Sequence, residues 1–272
     1  MHILLTDILT CPRCGPEFGL VLLADRVEDR RVLEGRLGCP NCREQYPIAG
    51  GAVDARLSAE RGVAAASRAV SSDVPADVAS PPAVSDGPAD AASRPASADV
   101  TAPSQDISAA RGESPGASDE SRVAPDAEAA VRLAALMGLA DARGTVLVAG
   151  PGAALAPQIS ALVPEVEVVA ATASPDVSGE RAGVSRIAAG AALPFRSRTL
   201  RGVALTGGAD EAGLLEALRL LQPGARLVVQ DAAGGTAERV AGLGAQVMLD
   251  QEGTVVARAV GDPVQLRLNT LR

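Results

Sequence analysis

The sequence predicts an α/β protein with a small zinc ribbon at its start, a disordered linker and a larger Rossmann-like domain. Two Cys-x-x-Cys pairs within the first 42 residues indicate the ribbon. A stretch rich in alanine, serine, proline and aspartate indicates the linker. After it, apolar runs of strand length alternate with helical segments, which favours a parallel sheet covered by helices. The predicted boundaries are 1–57 for the ribbon, 58–122 for the linker, 123–262 for the α/β domain and 263–272 for a tail.

Charge limits the classes of function. The formal net charge is −8, and none of the three larger segments is basic, which argues against strong electrostatic binding of nucleic acid. Arg26, Arg30, Arg31 and Arg36 alternate with acids, a pattern typical of a solvated strand face. No stretch has the length of a membrane span or the pattern of a signal peptide. We therefore expect a soluble, cytoplasmic protein whose cysteines are reduced or bound to metal.

The predicted metal ligands are Cys11, Cys14, Cys39 and Cys42. Each Cys-x-x-Cys turn directs two thiolates to one point, and two such turns complete a tetrahedron around Zn²⁺. Four cysteines leave no open coordination position, so the expected zinc is structural rather than catalytic. Two disulfides or four free thiols are the alternative, which a reducing compartment disfavours.

The ribbon resembles a known family. The carrying residues are the Leu4–Cys14 opening, the Leu33–Cys42 segment with the second cysteine pair, and Tyr46-Pro47-Ile48. These are similar to the small zinc-ribbon proteins that activate methyltransferases by binding and stabilising them. The resemblance implies a partner that is either a methyltransferase or the protein's own C-terminal domain. The pattern departs after Ile48, and a generic zinc ribbon is the alternative.

In the α/β domain, Val146–Ala154 predicts a strand followed by a glycine turn of the kind that binds nucleotides. A helix is expected to begin at Pro125-Asp126, with Asp126 as its cap, and an amphipathic helix over Asp210–Leu221. The candidate cofactor-binding residues are Gly150, Gly152, Ala154 and Thr172. The two glycines have an alternative role in packing between strand and helix. Phe195 is expected in the core.

This domain resembles the class I methyltransferases that use S-adenosylmethionine (SAM). The matching segments are Arg132–Gly152, Leu193-Pro194-Phe195 and Ala217–Val229. The resemblance implies a seven-stranded methyltransferase-type sheet and a SAM site. Four acids that the family usually carries are missing, because the equivalent positions are Val148, Thr172, Ala189 and Arg201.

Loss of the ribose and adenine acids alone, at Thr172 and Ala189, is expected to weaken binding of SAM by roughly 3–6 kcal/mol, or about 10²–10⁴-fold. The sequence therefore predicts a zinc-binding, non-catalytic protein, with no catalytic residue, that acts as an interaction or regulatory module. The alternative is an active SAM-dependent methyltransferase with an atypical pocket. A dinucleotide site at Gly150–Ala154 is a weaker alternative, left open by Arg181 and Arg186.

Overall fold

The computed structural model describes residues 1–62, 120–174, 181–190 and 192–261, without the side chains of 120–125. Most of the predicted linker and the predicted tail lie outside the described residues. The domain boundaries at these segments therefore stay predictions.

The ribbon contains six short strands preceded by a 3-10 turn. The longest two, β3 and β4, form an antiparallel hairpin in which Glu28 pairs with Arg31. Asp29 and Arg30 make the two-residue turn with positive φ angles of 43° and 63°, in the region that tight hairpin turns require. The elements are the 3-10 turn Ile3–Asp7, β1 Thr10–Cys11, β2 Gly15–Gly19, β3 Val21–Glu28, β4 Arg31–Gly38, β5 Gln45–Ala49 and β6 Ala52–Asp54.

The described residues of the C-terminal part form seven strands and four α-helices, close to the predicted segments. Its elements are α1 Glu120–Met137, β7 Gly144–Ala149, a 3-10 turn Pro151–Leu155, α2 Ala156–Leu162, β8 Val166–Thr172, β9 Val184–Ala188, β10 Leu200–Leu205, α3 Glu211–Leu220, β11 Leu221–Gln230, α4 Thr236–Gly242, β12 Gln246–Gln251 and β13 Thr254–Arg258.

All seven of these strands and four strands of the ribbon form one sheet of 11 strands. Its order is β12-β13-β11-β10-β7-β8-β9-β6-β5-β4-β3. Strands β7 to β11 are parallel, and β13 runs antiparallel between β11 and β12, as the predicted closing hairpin requires. The Rossmann-like, seven-stranded methyltransferase-type sheet is therefore confirmed.

The ribbon joins this sheet through a parallel pairing of β6 with β9, in which Val53 lies opposite Ile187. Most parallel crossovers contain a helix. Residues 189–199 connect β9 to β10, and the described ones among them include no helix. On this face the ribbon's Leu5 and Leu9 belong to the same buried cluster as Val169 and Ile187. The ribbon thus covers a sheet face that a crossover helix usually covers.

Two sequence-based expectations are wrong. Helix α1 begins at Glu120, so Asp126 lies inside the helix and does not cap it. The arginine-rich hairpin is not wholly a solvated face, because Arg31 is only 7% exposed. Burial becomes possible for Arg31 since its partner, Glu167, comes from β8 of the C-terminal part. Phe195 is fully buried, as predicted.

Candidate metal centre and cofactor cleft

The four predicted metal ligands converge at one point. The Sγ atoms of Cys11, Cys14, Cys39 and Cys42 all lie within 4.8 Å of one another. Cys11 is 3.6 Å from Cys42, and Cys39 is 3.8 Å from Cys14, measured between sulfur atoms. A tetrahedron with Zn–S bonds of about 2.3 Å has sulfur atoms about 3.8 Å apart. The thiols can therefore hold a metal ion, and their spacing fits Zn²⁺.

Burial and hydrogen bonds shift the pKa values of the thiols in different directions, down for Cys39 and up for Cys11 and Cys42. Burial raises the pKa of Cys39, but backbone N–H groups of Cys42 and Asn41 outweigh it, and the pKa falls to about 7. Burial raises the pKa of Cys11, against which the Tyr46 hydroxyl, 3.2 Å from its Sγ, acts to lower it. Hydrogen bonds that favour a thiolate also orient a metal ligand. Tyr46 was predicted only as part of a family motif.

The cluster lies directly beside the contact between ribbon and C-terminal part. The amide of Thr10, adjacent to Cys11, donates to the carbonyl of Pro194 at 2.9 Å. Leu9 forms a bridge with Phe195, and the amide of Arg196 donates to the Ile8 carbonyl at 2.8 Å. The turn that begins at Cys11 and the contact between the ribbon and the C-terminal part therefore share one short backbone segment.

The contact between the ribbon and the C-terminal part also contains a buried ion pair. Arg31 Nη1 lies 2.8 Å and 3.0 Å from the two carboxylate oxygens of Glu167. Its Nη2 donates to the carbonyl of Val184, and the hydroxyl of Ser185 donates to Glu167 at 2.5 Å. A buried charge pair of this kind requires both partners, because either charge left alone would be desolvated without compensation.

The four candidate cofactor residues lie at the carboxyl ends of β7 and β8, where ligands bind in sheets of this type. Gly150, Ala154 and Thr172 line a cavity of about 420 Å³. Gly152 is not among its lining residues, and its N–H instead donates to Thr206 Oγ1 at 2.7 Å. The structure therefore brings three of the four residues to one cavity.

Thr206, at the end of β10, closes the glycine turn. Its hydroxyl also donates to the Ala149 carbonyl at 2.8 Å. A Cβ atom at Gly150 would overlap the Thr206 carbonyl oxygen, and one at Gly152 would lie 2.6 Å from Thr206 Cγ2. Packing against Thr206 is therefore sufficient reason for both glycines. Thr206 was missed because a single threonine after an apolar strand carries no recognisable signal.

The described lining of the cavity lacks the negative charge that a SAM site needs. Its described lining includes Arg181 and Arg186 but no carboxylate. The Thr172 hydroxyl, at the position of the expected ribose-binding acid, donates to the Ser174 carbonyl at 2.6 Å. Since SAM carries a positive sulfonium, the residues present fit this cofactor poorly.

The other missing acids have different consequences. Val148 is fully buried within β7. Arg201 lies near the start of β10, at the opposite edge of the sheet from the glycine turn. Asp210 caps α3 by accepting from the Gly213 amide at 2.8 Å. Asp231 accepts from the Gly207 amide at 3.3 Å.

The comparison with known protein families matches only the amino-terminal part of the chain. Residues 2–51 match the model of the Trm112p-like protein family. No curated protein matches the chain by sequence. Among the described residues, no helix is long and apolar enough to cross a membrane.

Several solved structures are similar. A chain of a Haloferax volcanii complex containing the Trm112 methyltransferase activator is 16% identical, with 53% of this chain and 95% of that chain covered and a TM-score of 0.40. A Burkholderia thailandensis 1,6-didemethyltoxoflavin-N1-methyltransferase with bound S-adenosylhomocysteine is 15% identical, with 53% and 83% covered and a TM-score of 0.40. The antibiotic-resistance methyltransferase Kmr is 14% identical, with 49% and 93% covered and a TM-score of 0.37.

The amino-terminal segment of this chain thus resembles the Trm112p-like proteins, and the seven strands that follow have the methyltransferase-type topology.

Proposed function

We propose that this chain is a non-catalytic protein in which a zinc ribbon supports a methyltransferase-like domain that does not bind SAM. The assembled unit acts as an interaction or regulatory module. The observation that carries the proposal is the cavity beside the glycine turn, whose described lining has two arginines and no carboxylate.

The energetics support loss of cofactor binding. A hydrogen bond to a charged group contributes about 1.5–3 kcal/mol, so the missing ribose and adenine acids together remove about 10²–10⁴ in affinity. Arg181, in the same lining, opposes the sulfonium charge in addition. Thr206 occupies the hydrogen-bonding position at the Gly152 amide. The methyl donor therefore loses its anchors and meets a charge of its own sign.

The geometry supports a partner within the chain. The β6 edge of the ribbon is already paired with β9, so it is not open to a second methyltransferase in this arrangement. Proteins of the Trm112p-like family match this ribbon, and the solved Haloferax complex contains an activator of that family. We infer that the ribbon performs the equivalent supporting role for its own domain. Zn²⁺ at the four cysteines would hold the knuckles in their folded geometry.

Calorimetry on the zinc-loaded full chain tests the proposal. With SAM and S-adenosylhomocysteine titrated to about 1 mM, we expect no saturable heat. A Kd in the low micromolar range for either compound would refute it.

A restoring substitution tests the stated cause. Thr172→Asp places an acid at the ribose position, and we expect it to tighten binding of S-adenosylhomocysteine about tenfold or more relative to Thr172→Asn. Thr172→Asn is the matched control, since it has similar size without the charge. Equal binding by the two variants would show that the missing acid is not the cause.

The alternative function is an active SAM-dependent methyltransferase with an atypical pocket. The cavity volume of about 420 Å³ is within the range of small-molecule sites and is compatible with it. Labelled SAM incubated with the full chain and a cell extract distinguishes the two functions. Transfer of label that depends on the added protein would favour the enzyme.

A further inference from the structure

We propose that Arg201, Arg226 and Arg258 form a binding site for the diphosphate group of a small molecule, at the edge of the sheet opposite the glycine turn. All three line one cavity of about 410 Å³. Arg201 and Arg226 lie near the junction of β10 with β11, and Arg258 ends the antiparallel strand β13. The site is separate from the cleft that a methyl donor would use, and the inference does not depend on whether that cleft binds SAM.

The described protein supplies no carboxylate that pairs with these three arginines. Arg226 and Arg258 are direct partners in the antiparallel ladder, an arrangement that is destabilising for like charges. No carboxylate is among the described residues that line the cavity. None of the ion pairs within the described ranges involves these arginines. A bound anion would relieve this repulsion.

The local backbone provides space for the guanidinium groups. Arg226 Nη1 donates to the Leu136 carbonyl at 3.3 Å, at the end of α1. Gly138 has a φ of 71°, which favours glycine, and a Cβ atom there would lie 3.0 Å from the Arg226 guanidinium carbon. Arg201 Nη1 donates to Gln222 Oε1 at 3.2 Å. Since each guanidinium has five N–H donors, these contacts leave most of the donors for a ligand.

The chemistry of the lining selects the class of ligand. Guanidinium groups bind phosphate oxygens in pairs, and three such groups suit a diphosphate better than a single carboxylate. The volume lies in the range of small-molecule sites. Met248 and Pro223 add an apolar wall. The net charge of −8 opposes non-specific binding of anions, so saturable binding would report a local site.

Calorimetry on the full chain with inorganic pyrophosphate and with ADP tests the inference. We expect saturable binding of both with Kd below about 1 mM at low salt, weakened about tenfold by Arg258→Gln and by Arg201→Gln. Arg143→Gln is the matched control, because it removes the same charge from an exposed arginine paired with Glu165, and its affinity should change less than about twofold. Without ligand, Arg258→Gln should raise Tm by about 1–3 °C, since it removes the cross-strand repulsion.

Each of the following outcomes overturns the inference. The first is absence of saturable pyrophosphate and ADP binding to the unaltered chain. The second is an equal loss of affinity in the Arg143→Gln control, which would indicate a diffuse charge effect. The third is binding of a single-stranded RNA oligonucleotide without binding of either small anion, which would indicate a nucleic-acid surface. A lower Tm for Arg258→Gln would likewise contradict the repulsion on which the site is argued.

Discussion

The buried ion pair between ribbon and C-terminal part gives a quantitative prediction. Glu167→Gln keeps the shape of the side chain but removes its charge, and it takes the carboxylate of Glu167 away from the buried guanidinium of Arg31. The side chains are only 8% and 16% exposed for Arg31 and Glu167, so solvent screens the charges little. Breaking a buried pair typically costs about 3–5 kcal/mol. Because glutamine retains one acceptor oxygen, we expect a loss of about 2–4 kcal/mol in the free energy of unfolding.

Denaturant unfolding of the zinc-loaded full chain measures this loss. The matched control is Glu165→Gln, which breaks the pair between Arg143 and Glu165, whose side chains are 83% and 67% exposed. We expect the control to change stability by less than about 0.5 kcal/mol. The double variant Arg31→Met, Glu167→Gln should lose less than the sum of its single variants, because neither charge remains buried alone. Glu167→Gln within about 0.5 kcal/mol of the control would refute the account of the interface.

Two further predictions concern the metal and protonation. Removing zinc with a chelator should increase hydrogen exchange at the amides of Thr10 and Arg196, since both lie in the contact beside Cys11. Faster exchange confined to the cysteine turns would contradict a coupling between metal binding and this contact. Burial lowers the pKa of His2, opposed by Glu167 and assisted by Arg31, so the unfolded chain takes up this proton first as pH falls. Neutral His2 should therefore contribute fully to the stability of the folded state above about pH 6.5 and less below it. The difference in the free energy of unfolding between the unaltered chain and His2→Asn should shrink from pH 7.5 to pH 5.5. A difference that grows on acidification would contradict the lowered pKa of His2.

The sequence predicted those features whose signals are local. Paired cysteines indicate a metal site because the spacing within each turn aims two thiolates together, and the four sulfur atoms do converge. The strands from β7 to β13 were recognisable because they are short apolar runs between turn residues. Phe195 was expected in the core rather than against an adenine ring, and it is fully buried.

Long-range features were not predictable in the same way. Strand β6 has three residues, and its partner β9 is more than 120 residues later, so no local pattern reveals their pairing. Arg31 was assigned to a solvated face because its neighbours in sequence are charged, whereas its actual partner lies on β8. Thr206 escaped notice for the same reason, since its role depends on a strand that is adjacent only in space.

The core that the ribbon shares with the C-terminal part makes the full chain necessary for any measurement of cofactor binding. Leu5, Leu9 and Tyr46 of the ribbon belong to one buried cluster with Ile187 and Phe195. Removing the ribbon would expose this sheet face and leave β9 as an unpaired edge, a recognised cause of aggregation. A fragment without the ribbon would then fail to bind SAM whether or not the acids matter. Only the full chain, compared with its Thr172→Asp and Thr172→Asn variants, separates a missing carboxylate from a missing partner surface.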